Sequence, residues 1–224
     1  KEKIKEYRET IDVLSLSATP IPRTLQMSLM GIRGLSKIDT PPKNRLPVQT
    51  YVVEKNNTLI KQVIERELAR DGQVFYLYNR TDQIANVAYK ISSTVPNAKV
   101  AIGHGQMDKN ELEDVMLRFM NKEFNVLICT TIIETGIDIP NANTMIVEDA
   151  DKFGLAQLYQ IRGRVGRSER GAYAYLLYKK DKSIQDDALK RLKAIKEFTE
   201  LGSGYKIAMR DLSIRGSGDI LGGK

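Results

Sequence analysis

Thr58-Leu-Ile-Lys-Gln-Val-Ile-Glu-Arg-Glu-Leu-Ala-Arg70-Asp71-Gly72-Gln73-Val74-Phe75-Tyr76-Leu77-Tyr78 is the stretch that decides the fold class. Its first part, Thr58–Arg70, sets Leu59, Val63, Ile64 and Leu68 on one face at helical spacing. Thr58 reads as the N-cap and Asp71-Gly72 as the end of the helix. Its second part, Val74–Tyr78, is a continuous apolar run, which a strand covered on both faces requires.

The same alternation extends in both directions. Strands are predicted at Asp12–Leu16, Val48–Val53, Lys99–Ile102, Val126–Cys129, Thr144–Val147 and Ala172–Tyr178. Helices are predicted at Gln83–Ser92 and at Lys109–Asn121, the latter with Leu112, Val115, Met116 and Phe119 as its stripe. Strand and helix in alternation predict an α/β fold, a parallel sheet with helices on both faces. From Asp181 the pattern becomes helical: Lys182–Leu201, a stop at Gly202-Ser203-Gly204, then Tyr205–Leu212 and a Gly-rich tail from Arg215 to Gly223. That predicts a C-terminal helical hairpin behind the α/β core. A short helix carrying Leu25, Met27, Leu29 and Met30 is expected after Pro22, and Thr40–Pro47 reads as extended because prolines forbid helix there.

Composition narrows the class of molecule. Apolar residues are 42% of the 224, enough for a core, and a charged share of 28% with both signs interspersed is that of an ordered chain. Lys and Arg exceed Asp and Glu by 35 − 28 = 7, a surplus that suits a nucleic-acid partner and equally suits a solvated surface. One cysteine and one histidine leave no Cys/His zinc site, and Cys129, within Val126–Cys129, reads as a buried strand residue. No apolar run approaches the ~20 residues of a membrane span, so no membrane partner and a cytoplasmic setting are expected. The chain begins at Lys1 and stops after Gly223-Lys224, as a piece of a larger protein is expected to do.

The chemistry concentrates in Gln157-Leu-Tyr-Gln160-Ile-Arg162-Gly163-Arg164-Val-Gly166-Arg167. Guanidiniums bind phosphate oxygens in bidentate fashion, and interleaved glycines let backbone approach a phosphate closely. A solvated basic loop is the bland alternative, but packing gives no reason for Gly-Arg-Val-Gly-Arg after a helix.

Gln160-x-x-Gly163-Arg164-x-x-Arg167 resembles motif VI of the superfamily 2 helicases and translocases. Thr130-Thr131-Ile-Ile-Glu134-Thr-Gly136-Ile-Asp138-Ile-Pro140 resembles motif V, Ser17-Ala18-Thr19-Pro20 motif III, and Val74–Asn79 motif IV. All four stand in the family's order across nearly the whole chain. Ser17–Thr24 and Asp211–Gly222 resemble the branch that holds the bacterial transcription-repair coupling factors and the RecG-type branched-DNA helicases. Thr40–Arg45, Ile102–Met107 and Phe75–Asn79 look more like the former.

The resemblance implies a RecA-like lobe over residues 11–180, preceded by the end of a linker helix (1–10) and followed by a hairpin with a truncated translocation motif (181–224). It implies that Arg164 and Arg167 reach the γ-phosphate of ATP, one as an arginine finger, with Gln160 positioning nucleotide or water. Gly136, Asp138 and Gly163 would lie on the nucleotide side, though Asp138 also suits a turn cap before Pro140. Asn79, His104, Gln106, Thr130 and Thr131 would lie on the DNA side, where His104 is a loop residue rather than a catalyst. Ser17, Ala18, Thr19 and Arg215 would couple nucleotide state to DNA grip, Ser17 and Thr19 being otherwise strand-end caps.

A phosphate loop is missing. Gly218-Asp-Ile-Leu-Gly-Gly223-Lys224 fits the glycine–lysine spacing but has no Ser/Thr and no following helix, and Glu148-Asp149 after an apolar strand has no phosphate loop to serve. ATP and Mg2+ are therefore expected to be bound mainly by a first lobe outside the chain, and the isolated chain is expected to be inactive. The implied activity of the whole protein is ATP-driven movement on double-stranded DNA that displaces stalled RNA polymerase and recruits excision-repair proteins. A RecG-type lobe is the near alternative. A non-catalytic DNA-binding or docking module is the alternative of another class.

Overall fold

The computed structural model describes residues 36, 46–130, 139–179, 186–198 and 204–215. Six strands, β1 (Val48–Glu54), β2 (Gln73–Leu77), β3 (Val100–Gly103), β4 (Val126–Cys129), β5 (Ala142–Val147) and β6 (Ala172–Tyr178), form one sheet among these residues. Its order is β1-β6-β5-β2-β4-β3, and every neighbouring pair is parallel. The strands read as continuous apolar runs are the central ones: β2, β4 and β5 are buried along their whole lengths. Helices α1 (Asn57–Ala69), α2 (Ile84–Thr94), α3 (Lys109–Met120) and α4 (Leu155–Arg162) make the crossovers. Two apolar clusters form, one on each side of the sheet: Ile60, Ile64, Ile84 and Ile91 from α1 and α2 on one, Met116, Phe119, Leu155 and Leu158 from α3 and α4 on the other. The expected α/β architecture is what is found.

Helices α5 (Asp186–Glu197) and α6 (Gly204–Arg215) pack against each other and against α4, and α5 also covers β1. Two boundaries differ from expectation here. The first helix is helical only to Glu197, not to Leu201, because Phe198 leaves the helix and its carbonyl is taken by Arg162. The second spans Gly204–Arg215, past the expected end at Leu212, and residues 216–224 of the expected tail lie outside the described residues.

At α1 the cap is Asn56, two residues before Thr58: its Oδ1 accepts from the Thr58 and Leu59 amides at 2.8 and 3.4 Å. Asp71, rather than Gly72, takes the left-handed conformation at the exit (φ 58°). Gly72 answers a different demand, since a Cβ there would sit 1.9 Å from Oε1 of Glu67, whose buried carboxylate is fixed by Arg70 and Thr144. Gly72→Ala should therefore lower stability by about 1–3 kcal/mol, read as a lower urea midpoint at unchanged slope. A midpoint equal to the parent's would show that Glu67 has room to move.

Gln73 opens β2 with its side-chain Nε2 donating to the Phe119 and Phe124 carbonyls at 2.6 and 2.7 Å, which stitches the end of α3 to the start of the sheet. Cys129 is buried in β4 as expected, and burial pushes its thiol up to about 12, so it stays protonated and inert at neutral pH. Asp12–Leu16, the helix after Pro22 and residues 40–45 lie outside the described residues.

Candidate functional site

Parallel strands deliver all their carboxyl ends to one edge of the sheet, where α/β proteins place ligands. Asn79, His104 and Thr130 follow β2, β3 and β4 there, tied side by side by the Tyr78 amide on the Cys129 carbonyl (2.8 Å) and the Thr130 amide on the Gly103 carbonyl (3.2 Å). Asn79 and Gln106 are exposed, and the turn carrying Gln106 is closed by the Met107 amide on the His104 carbonyl at 3.1 Å. Oγ1 of buried Thr130 and Nδ1 of His104 have no hydrogen-bond partner among the described residues.

Beside Asn79 a cleft of about 200 Å³ is lined by Arg80, Glu148, Asp149, Lys152 and Gln157. Glu148 is buried and committed: Lys55 Nζ pairs with it at 2.5 Å and the Tyr76 hydroxyl donates to its other oxygen. Burial, reinforced by that carboxylate, raises the Tyr76 phenol well above 10. Asp149 takes a left-handed backbone (φ 49°) and pairs with Lys152 at 3.0 Å and Lys179 at 3.8 Å. The acidic pair after β5 thus serves lysines and a tyrosine, and no three His, Cys, Asp or Glu converge as a metal cage among the described residues.

The arginine-rich segment lies at the opposite edge. Helix α4 starts near the cleft, capped by the Gly154 amide on Gln157 Oε1 at 2.9 Å, and runs back along the sheet. Its far end releases the loop 163–171, which meets the starts of the strands. A Cβ on Gly166 would lie 2.9 Å from the Val48 side chain and 3.2 Å from that of Ala172, the first residues of β1 and β6. With φ at +74°, Gly166 is required on both conformational and steric grounds. Ser168 Oγ bonds Asn143 Oδ1 at the start of β5 (3.1 Å), and Val165 is fully buried. Exposed Gln160, half-buried Arg164 and exposed Arg167 are carried on this frame, with Gly163 as the C-cap of α4. Among the described residues, Gln160, Gly163, Arg164 and Arg167 of the expected nucleotide side and Asn79, His104, Gln106 and Thr130 of the expected DNA side therefore sit at the two opposite edges of one sheet.

Gly136, Asp138 and Thr131 lie outside the described residues, as do Ser17, Ala18 and Thr19. The described chain breaks off at Thr130, at the carboxyl edge, and resumes at Ile139, at the amino edge, where the Ala142 amide bonds the Ile139 carbonyl at 3.0 Å. The backbone of Arg215 ends α6.

One residue that sequence reasoning grouped with the phosphate-facing arginines is instead buried at the end of α4. Arg162, only 5% exposed, donates to the carbonyls of Ile195 at 2.7 Å and Phe198 at 2.5 Å, at the carboxyl end of α5. It also reaches Thr50 Oγ1 on β1 at 3.4 Å and lies 5.5 Å from the Tyr159 ring centre. Burial lowers its guanidinium to about 10, which still leaves it cationic at neutral pH, where it complements the negative end of the α5 dipole. Its signal in the sequence is its place on the buried stripe of α4 with Leu155 and Leu158.

Residues 54–169 match the family model of the helicase conserved C-terminal domain. Over 99% of its length the chain is 65% identical to the transcription-repair-coupling factor of Bacillus subtilis strain 168. It is 60% identical, over the same share, to that of Staphylococcus aureus strain USA300. The chain spans 19% of the length of each of these relatives. The structure of RecG bound to a three-way DNA junction aligns with a TM-score of 0.76 and 36% identity, over 93% of this chain and 28% of that one. The Dbp5 protein of S. cerevisiae bound to RNA and ADP BeF3 aligns with a TM-score of 0.62 and 18% identity, over 94% of this chain and 58% of that one, a likeness of fold alone. The expected RecA-like architecture is borne out.

Proposed function

Because the chain belongs to the helicase conserved C-terminal domain family, we propose that it is the second motor lobe of an ATP-driven double-stranded-DNA translocase of the transcription-repair-coupling kind. The observation that carries this reading is the 65% identity to such a factor along 99% of the chain, against 36% to RecG. The geometry supports a division of labour within it. The amino edge, with Gln160, Gly163, Arg164 and Arg167, faces ATP held by the first lobe, joined by Gly136 and Asp138. The guanidiniums supply fixed positive charge where the transferring phosphoryl group gathers negative charge. Magnesium belongs with the first lobe, since the described acidic residues at the strand ends are already paired. The carboxyl edge, with Asn79, His104, Gln106, Thr130 and Thr131, grips the phosphate backbone of DNA, with Asn79 and Gln106 exposed there to meet it. Ser17, Ala18, Thr19 and Arg215 pass the nucleotide state to that grip.

Within the whole protein, other domains engage RNA polymerase and excision-repair proteins, in a cytoplasmic setting. No described helix is long and apolar enough to cross a membrane. The test is made on the complete protein that contains this chain. DNA-stimulated ATP hydrolysis and release of a stalled RNA polymerase from its template are expected. Regression of a branched fork without polymerase release would assign the RecG-type role instead. The isolated chain should fold and hydrolyse nothing; magnesium-dependent turnover by it would overturn the division between two lobes.

DNA binding by this lobe should be sequence-independent and steeply salt-sensitive, with a log–log slope of about −0.9 for each phosphate neutralised. A titration series in rising KCl, on duplexes of unrelated sequence, checks this. Affinity that ignores salt or favours one sequence would count against phosphate contacts at the carboxyl edge.

A further inference from the structure

We propose that Arg70, with its buried partner Glu67, is a positioning residue for the arginine finger, acting by clamping the far end of the loop that carries Arg164 and Arg167. This rests on the reading of those arginines given above. None of the residues involved belongs to the motif VI segment or to the other motifs, and they come from three separate elements.

The clamp begins in the core. Glu67, near the end of α1, is 2% exposed and takes the Thr144 hydroxyl of β5 at 2.7 Å. Its Oε2 also accepts Arg70 Nε at 2.7 Å and lies 2.6 Å from the Arg70 NH2 nitrogen. The same guanidinium then reaches out of the core and donates to the Gly171 carbonyl at 2.7 Å, the last residue before β6. The Tyr173 ring flanks it at 5.2 Å. The tie is reciprocal, since Arg170 of the loop donates back to the Arg70 carbonyl at 2.9 Å.

The loop is thus pinned at its near end by the buried C-terminus of α4, at its middle by Gly166 against Val48 and Ala172, and at its far end by Arg70. A finger stabilises a transition state only where its guanidinium is already in place, because reorganising it during the reaction forfeits the gain. The planar guanidinium holds the Glu67 carboxylate through Nε and the Gly171 carbonyl through a second nitrogen in one fixed geometry. Lysine has all its donors on one nitrogen and cannot reproduce that spacing. Arg70 therefore transmits the rigidity of the core to Arg167 and Arg164, four and seven positions before the clamped Gly171, without touching nucleotide.

The experiment uses the complete two-lobed protein, measuring DNA-stimulated turnover, KM for ATP and thermal unfolding. Arg70→Lys, which keeps charge opposite Glu67, should lower kcat by about 10- to 100-fold, the range of an ångström-scale misplacement. KM for ATP and the unfolding temperature should hardly move. Arg170→Ala, at an exposed position, should lower kcat in the same direction with the fold intact. Combined with Arg164→Ala, Arg70→Lys should add no further loss, because the clamp acts only through the finger. Unchanged kcat in Arg70→Lys, a loss explained by lowered folded fraction, or losses that multiply in the double variant would each overturn the proposal. Near-normal turnover in both Arg164→Ala and Arg167→Ala would instead overturn the finger reading on which it rests.

Discussion

Arg164→Ala or Arg167→Ala in the complete protein is expected to cut ATP hydrolysis by about 10³–10⁵-fold while ATP still binds, as removal of an arginine finger does elsewhere. The structure sharpens the expectation in two ways. Arg164 is half-buried just beyond the α4 cap and Arg167 is exposed just beyond Gly166, so neither substitution opens a cavity in the core. A fall in turnover with unchanged unfolding temperature can then be assigned to lost charge rather than lost fold. The measurement is steady-state turnover on linear duplex DNA beside equilibrium binding of a fluorescent ATP analogue. If both variants turn over at the parent's rate, the amino edge is not where the nucleotide is met.

Arg162→Ala should act on the fold itself. Two carbonyls at the end of α5 lose a charged donor, and hydrogen bonds to charged groups contribute about 1.5–3 kcal/mol each. With the relief of a desolvated cation offsetting part of this, a net loss of about 2–4 kcal/mol is expected, seen as a lower urea midpoint. Arg162→Lys should recover only part of it, since an ammonium cannot fork to Ile195 and Phe198 as the guanidinium does. In the complete protein the same substitution should impair displacement of a triplex strand more than it impairs hydrolysis, because α5 and α6 lose their tie to α4. A midpoint within about 0.5 kcal/mol of the parent would remove Arg162 from the list of residues that hold these helices.

Local pattern was enough where local pattern decides. Val74–Tyr78 and Val126–Cys129 read as buried strands because a strand covered on both faces leaves no polar alternation, whereas the Gly-spaced segment 162–167 looks purely chemical although Arg162, Val165 and Gly166 serve packing. Boundaries set by distant partners could not be read. Nothing near Phe198 announces that its carbonyl is claimed by Arg162, thirty-six residues earlier, so the helix was extended to Leu201. Thr58 is as good a cap as Asn56 by residue type, and only the two amide bonds to Asn56 decide between them. The Glu67–Arg70–Gly171 clamp spans about a hundred residues of sequence and looks, in one dimension, like an i,i+3 surface pair. Eight of the eleven residues of motif V and all of motif III fall outside the described residues.

The separation of the two edges has a mechanical consequence. A strand of five residues is about 16 Å long at 3.3 Å per residue, and β2, β4 and β5 are buried from end to end, so the span between finger and grip does not flex. Under the proposed function the lobe would act as a stiff lever, loaded at the carboxyl edge and pivoting near the amino edge. On an arm of that length, a tilt of roughly 12° sweeps the grip through about one base-pair rise of 3.4 Å. In that reading the strand length sets the lever arm, and a longer sheet would need a smaller tilt for the same advance.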